Sequence, residues 1–289
     1  MQKSQTKKKL FKKQSQTRPG LESKMDPLPQ FDDGLQGSNK LRNKKCIITG
    51  GDSGIGRAVA VAFAKQGADV AIIYLKSEET DAKFTAQYIR QKFNKTCLTI
   101  SADISKENNC VKAIQKILNT FKSCDVLVNN AAVHYPVDDI LEISTKQLIQ
   151  TFSVNIFSMF WITKAVLPFM KKGSTIINTS SVTAYRGSAG LIDYSATKGA
   201  IVSFTRSLSS QLIERGIRVN GVAPGPVWTP LVSASFPPSK VELYGSDTPM
   251  QRPAQPVEIA PAYVFLASKD ASYISGQFIH INGGEIVNG

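Results

Sequence analysis

Tyr194 and Lys198 place a phenol and an amine four residues apart at the start of a helical pattern spanning 194–215. Side chains at i and i+4 share one helical face, so the two groups can act on a single point. A free phenol, with a pKa of ~10, carries protons poorly at neutral pH. A neighbouring ammonium favours the phenolate and lowers that value. The pair could then give a proton to a carbonyl oxygen or take one from an alcohol. The same spacing arises by chance on ordinary helix surfaces, so its weight comes from its surroundings. Ser181 follows the apolar run Thr175–Thr179, 13 residues before Tyr194, where a hydroxyl could bond a substrate oxygen. Asn155 interrupts an apolar helical stretch, and a buried amide there needs partners. Two roles stand open for it: capping a kinked helix, or holding a water that links Lys198 to solvent. His134 and His280 are too isolated to form a metal site and read as a loop and a strand residue.

A second group of residues suits a phosphate-bearing ligand. The run Thr49-Gly50-Gly51-Asp52-Ser53-Gly54-Ile55-Gly56-Arg57 leaves an apolar strand and opens a helix. Glycines there admit close backbone approach to a pyrophosphate, and the helix N-terminus offers unpaired N–H groups. An acid ~20 residues further on would hold the adenosine ribose of NAD and repel a 2′-phosphate. The next strand instead ends Tyr74-Leu75-Lys76, with Tyr74 at that position. Without the acid a 2′-phosphate is admitted, with Lys76 or Arg57 available to pair with it. NADP is therefore expected ahead of NAD, and NAD stays open. Asp103-Ile104 and Asn130-Ala131-Ala132 end the next two strands; Asp103 could accept from an adenine amino group, and the alanines allow backbone contact.

The elements that must position these groups alternate. Apolar runs at 46–49, 70–74, 98–100, 126–128, 175–177, 219–222 and 278–281 are separated by helical patterns at 57–66, 79–93, 108–121, 144–170, 194–215 and 256–267. Continuous apolar strands between helices predict a parallel seven-stranded sheet covered on both faces: an α/β, Rossmann-type, doubly wound single domain over 44–289. The first 40 residues lack hydrophobic periodicity. Residues 1–45 hold twelve Lys/Arg against four Asp/Glu, so much of the net +13 belongs to this leader. Residues 1–17, with Lys7, Lys8, Lys9, Lys12 and Lys13, read as a solvated disordered tail, and nucleic acid is an unlikely partner. The four cysteines form no CxxC pair, which fits free thiols and a cytoplasmic setting. No apolar run is expected to reach the ~18 residues that cross a bilayer.

The glycine loop, Asn130-Ala131-Ala132, Asn155, Ser181, Tyr194-x3-Lys198 and Pro224-Gly225 resemble, in order and spacing, the short-chain dehydrogenase/reductase family from about residue 40 onward. The resemblance implies an oxidoreductase with an Asn155–Ser181–Tyr194–Lys198 tetrad. Tyr194 would be the acid/base, Lys198 would bind the nicotinamide ribose, Ser181 would orient substrate, and Asn155 would support a relay water. Pro224-Gly225-Pro226-Val227-Trp228-Thr229 resembles the family's nicotinamide clamp, with the Val227 backbone and the Thr229 hydroxyl meeting the carboxamide. The leader from Gln16 to Pro27, with Ser188–Tyr194, is similar to the N-terminally extended glucose/ribitol-dehydrogenase-like branch, which includes general-stress oxidoreductases. That implies an ordered arm over 18–43, a homotetramer, and an alcohol or carbonyl substrate that is an aldehyde, a ketone or a polyol. Residues 231–248 correspond to a mobile loop closing over substrate. A protein that only senses nucleotide on this fold would need neither Tyr194 nor Lys198.

Overall fold

In the computed structural model, which describes residues 8–285, alternating side chains of one sheet feed two separate cores. The chain runs β1 (Lys45–Thr49), α1 (Gly54–Lys65), β2 (Asp69–Tyr74), α2 (Glu79–Phe93), β3 (Cys97–Ser101), α3 (Glu107–Phe121) and β4 (Val126–Asn129). It continues through α4 (Thr145–Phe152), α5 (Ser158–Val166), β5 (Thr175–Thr179), α6 (Thr183–Arg186), α7 (Ile192–Leu212) and β6 (Arg218–Pro224). It ends with α8 (Pro230–Ser235), α9 (Pro238–Val241), α10 (Pro256–Ala267) and β7 (Phe278–Ile281). All strands pair in parallel, in the order β3-β2-β1-β4-β5-β6-β7. Cys46, Ile48, Val70 and Ile72 face α1, α2 and α10, while Ile47, Ala71 and Ile73 face α3 and α5. This two-residue period places both faces under helices, as a doubly wound sheet requires.

The expected long helix over 144–170 is interrupted. A π turn, Ser153–Phe157, separates α4 from α5, and a 3-10 turn, Leu167–Phe169, closes the segment. π-Bulges of this kind recur at functional sites, and Asn155 lies at the centre of this one. The whole stretch, Thr145–Phe169, is long and apolar enough by composition to cross a membrane, contrary to expectation, but half of its apolar window is buried in the fold.

The reading of 1–17 as unstructured differs from the structure over 8–17; Lys7 and the residues before it lie outside the described part. The Leu10 amide donates to the Glu242 carbonyl (2.8 Å) and that of Gln16 to the Ser233 carbonyl (2.9 Å). Phe11 stacks on Trp228 with centroids 3.7 Å apart. The backbone of a polar segment can be tied down by a few such bonds without any periodic pattern. Further on, Trp228 Nε1 donates to the Pro27 carbonyl (2.8 Å), and Asp32 accepts from Tyr88 Oη and Lys92 Nζ (both 2.6 Å). The arm thereby crosses α8, the glycine loop and α2. Residues 231–248, expected as one loop, instead contain α8 and α9, with Val232 and Val241 packed against Met25 and Trp228.

Candidate active site

The strands' C-terminal ends and the loops beyond them enclose a cleft of about 680 Å³. Open α/β sheets hold ligands on this side of the sheet. Its floor begins at the glycine loop. A Cβ added to Gly56 would lie 1.8 Å from the Gly50 carbonyl oxygen, so only glycine lets the first turn of α1 pack on that loop. Gly54 has φ +52°, a left-handed conformation glycine adopts without strain. Asn130 locks the loop in place: its backbone N–H donates to Thr49 Oγ1 (2.9 Å) and its Nδ2 to the Thr49 carbonyl (3.1 Å). The Gly54 amide donates to Glu22 Oε2 of the arm (2.5 Å). Among the described residues no acceptor takes the Ile55 and Gly56 amides, which remain open for an anion at the helix N-terminus. These residues fit the pyrophosphate of a dinucleotide.

The catalytic candidates converge further along the cleft, at the end of β5 and the start of α7. Lys198 is 1% exposed, its Nζ 2.8 Å from the Thr179 carbonyl and 5.3 Å from the centre of the Tyr194 ring. Among the described residues no carboxylate pairs with it, and burial lowers its pKa to about 7. Tyr194 opens into the cleft beside Ser181, yet loss of water pushes its phenol up to about 12, only partly countered by the hydrogen bond with Ser181. The expected depression by Lys198 is thus not present in the chain by itself. Loss of water dominates at the phenol, and Lys198, itself buried and lowered to about 7, does not offset it.

Asn155 spends its amide on structure. Oδ1 accepts from the Val133 N–H (2.8 Å), while Nδ2 donates to the Val133 carbonyl (2.9 Å) and Thr197 Oγ1 (3.1 Å). It therefore ties the loop after β4 to the catalytic helix and does not cap a kink. Asp103 lines the cleft, but its Oδ1 already accepts from the Ser105 N–H and hydroxyl. Ile104, Ala131, Ala132, Pro224, Gly225, Val227 and Thr229 line the same cavity as Tyr74 and Leu75. The two cations expected to meet a 2′-phosphate are elsewhere. Arg57 is 4% exposed and bound to Glu22 Oε1 (2.5 Å), Thr85 Oγ1 (2.9 Å) and the Asp52 carbonyl (2.7 Å). Lys76 stands outside the cleft, paired with Glu79.

Three site residues carry no sequence signal strong enough to single them out. His134, read as an ordinary loop residue, packs edge-on to Tyr194 (5.3 Å) and Phe236 (5.2 Å), and burial lowers it to about 4, so it is neutral. Asp193 is buried beside Tyr194, accepting from Thr151 Oγ1 (2.8 Å) and Gln147 Nε2 (3.2 Å). Glu22 lies in the leader, where nothing in the local pattern predicts burial; loss of water pushes it up to about 7 against the pull of Arg57. Only its position in a segment similar to one branch of the family hints at a role.

Residues 50–285 match the family profile described as enoyl-(acyl carrier protein) reductase. The chain is 51% identical over 279 residues to the glucose and ribitol dehydrogenase of Daucus carota, covering 95% of this chain and 96% of the relative. It belongs to the short-chain dehydrogenase/reductases. It is also 50% identical over 283 residues to the chloroplastic NADPH-dependent aldehyde reductase 1 of Arabidopsis thaliana, covering 96% and 98%. A short-chain dehydrogenase of Burkholderia cenocepacia, solved in complex with NADP, superposes with a TM-score of 0.79 at 28% identity, covering 85% of this chain and 98% of that one. In this short-chain dehydrogenase/reductase Ser181, Tyr194 and Lys198 line one end of the cleft, and Asn155 reaches the same helix through Thr197.

Proposed function

We propose that the chain transfers hydride between a nicotinamide cofactor and an alcohol or carbonyl compound (an aldehyde, a ketone or a polyol), with Tyr194 as acid/base. The observation carrying this reading is the placement of Tyr194, Ser181 and Lys198 around one end of the cleft whose other end is the open N-terminus of α1. A bound nicotinamide supplies or accepts the hydride at the substrate carbon. In the reducing direction Tyr194 gives its phenolic proton to the carbonyl oxygen, completing the alcohol, while the Ser181 hydroxyl holds that oxygen in place. Lys198 stabilises the phenolate that remains. A lysine titrating near neutral pH can serve in either protonation state, so it can also return a proton to the phenolate. His134, neutral and edge-on, fixes the Tyr194 ring. Asn155 and Asp193 act as positioning residues through Val133, Thr197 and the first turn of α7.

The named activities of the two plant relatives support the substrate classes, a polyol or sugar in one and an aldehyde in the other. Four buried free thiols suit a cytoplasmic setting. Exposed Phe157 and Phe160, the latter against Phe204, suit burial in a homotetramer. A panel of aldehydes, diketones and polyols assayed with NADH, NADPH, NAD and NADP tests the reading. Turnover of a carbonyl or polyol by the wild-type chain is expected, and inactivity across the panel with intact cofactor binding would favour a nucleotide-sensing protein instead.

A further inference from the structure

The arm brings a side chain into the cleft. Its residues 16–21 form a turn pinned on α8: the Gln16 N–H donates to the Ser233 carbonyl (2.9 Å), and Gln16 Nε2 to the Leu21 carbonyl (3.0 Å) and Ser233 Oγ (3.2 Å). The Leu21 N–H donates back to Gln16 Oε1 (2.8 Å). Gly20 is buried in this seat, where a Cβ would lie 2.6 Å from the Pro230 carbonyl oxygen. The turn carries Arg18 to the cleft wall, its guanidinium carbon 4.7 Å from the centre of the Tyr135 ring. A guanidinium held over an aromatic face keeps its N–H groups free for hydrogen bonds.

Among the described residues no carboxylate or carbonyl accepts from Arg18, which is exposed. It stands at the catalytic end: His134, which packs on Tyr194, immediately precedes Tyr135, and the Arg18 charge adds to burial in lowering His134. Lys240 of α9 lines the same end, with no ion-pair partner among the described residues. Arg186 lines it too, held by Glu285 (2.5 Å). The acid at this end is Asp247, whose charge and that of Arg186 both reach Tyr244. The other carboxyl groups lining the cleft, Asp52, Glu78 and Asp103, belong to the glycine loop and the ends of β2 and β3. The catalytic end therefore carries a cationic surplus with an unclaimed arginine fork.

We infer that Arg18 receives an anionic group of the substrate, so that the favoured alcohol or carbonyl compound carries a carboxylate or a phosphate a short carbon chain from its reacting carbon. The inference rests on the reading of Tyr194 as acid/base and narrows the substrate class of that site. Two oxygens of either anion match the parallel N–H pair of a guanidinium, and such charge-assisted bonds are stronger than neutral ones. A neutral aldehyde of the same length leaves the fork to water and gains nothing from it. The open amides at the N-terminus of α1 suit the cofactor pyrophosphate, which leaves Arg18 to the substrate.

Initial rates of the full chain with its tighter-binding reduced cofactor test this on two matched pairs: succinic semialdehyde against butanal, and glyceraldehyde 3-phosphate against glyceraldehyde. At least one anionic member should exceed its neutral counterpart by about tenfold or more in kcat/KM. Arg18→Gln should remove most of that ratio, chiefly through KM, while calorimetric cofactor affinity stays within a few-fold of the wild type. Arg18→Lys, which keeps the charge and loses the fork, should restore part of the ratio. Neutral members matching the anionic ones in both pairs would overturn the inference, as would a ratio that survives in Arg18→Gln. A fall in cofactor affinity as large as the fall in kcat/KM would assign the cation to the cofactor and overturn it too. Inactivity toward all four compounds also overturns it; the function itself fails only if the wider panel of aldehydes, diketones and polyols is inert, so the two failures are distinguishable.

Discussion

The two ends of the cleft handle charge in opposite ways. At the end beside Tyr194, Lys198 is a buried amine with no carboxylate partner among the described residues; at the other end Asp52 and Glu78 are carboxyl groups with no ion-pair partner among them. Burial acts identically on both, disfavouring the charged form, and so moves the lysine down and the acids up. Neither end is balanced among the described residues. On the function proposed above, a dinucleotide lying along the cleft would bring its ribose and the reacting oxygen to the lysine end. Glu22 illustrates the contrast between them: it, too, is buried, but Arg57 and the Gly54 amide satisfy it, and it serves as a latch.

Breaking that latch should have the largest effect. Glu22→Ala leaves Arg57 buried beside Asp52 without its nearest partner, and removing one member of a buried pair costs about 3–5 kcal/mol. Urea unfolding at pH 8 measures the loss. In the surviving folded protein the freed guanidinium should also raise NADP affinity, blurring the difference between the two ends.

At the catalytic end, Lys198→Met should lower kcat/KM by about 10²–10³-fold, the usual size of losing one preorganised donor. Stability should move the other way. Between about pH 7 and the ordinary lysine range, unfolded chains hold a proton that the folded chain gives up, so this group's contribution to stability rises with pH. The methionine variant should therefore exceed the wild type in Tm most at pH 7, with the advantage fading toward pH 10.

The end at Asp52 and Glu78 predicts the reverse slope. Glu78 binds its proton more tightly folded than unfolded, so its contribution is greatest at low pH and is lost as pH rises through the raised value. Glu78→Gln should leave Tm nearly unchanged at pH 5 and raise it progressively by pH 8.5, in thermal scans without cofactor. The smallest effect belongs outside both ends. Phe11→Ala removes a stack worth about 0.5–1.5 kcal/mol beyond its area and should lower Tm slightly while leaving cofactor preference unchanged, as ligand titration would verify.

The sheet was legible because its strands are continuous apolar runs whose alternate side chains enter two cores; 278–281 and 79–93 match β7 and α2 residue for residue. The boundary errors fall where backbone geometry, not hydrophobicity, decides. The π turn at Ser153–Phe157 leaves the apolar pattern of 144–170 intact, so one helix and four pieces look alike in sequence. The candidates Tyr194 and Lys198 were legible through their spacing on one helical face. The sequence could not show that Arg57 is spent on Glu22, since that contact joins residues 35 apart through a leader without periodicity. Nor could it show that loss of water raises the Tyr194 phenol despite the amine one turn away, since burial is set in three dimensions.

Tyr194→Phe, which removes one hydroxyl and keeps the ring packed against His134, tests the central claim most directly. Steady-state turnover of the best substrate and calorimetric cofactor affinity should be measured on the same preparation. Turnover falling by about 10²–10⁴-fold with cofactor affinity unchanged is the predicted result. Turnover within a few-fold of the wild type would show that the proton passes through another group and would contradict the account.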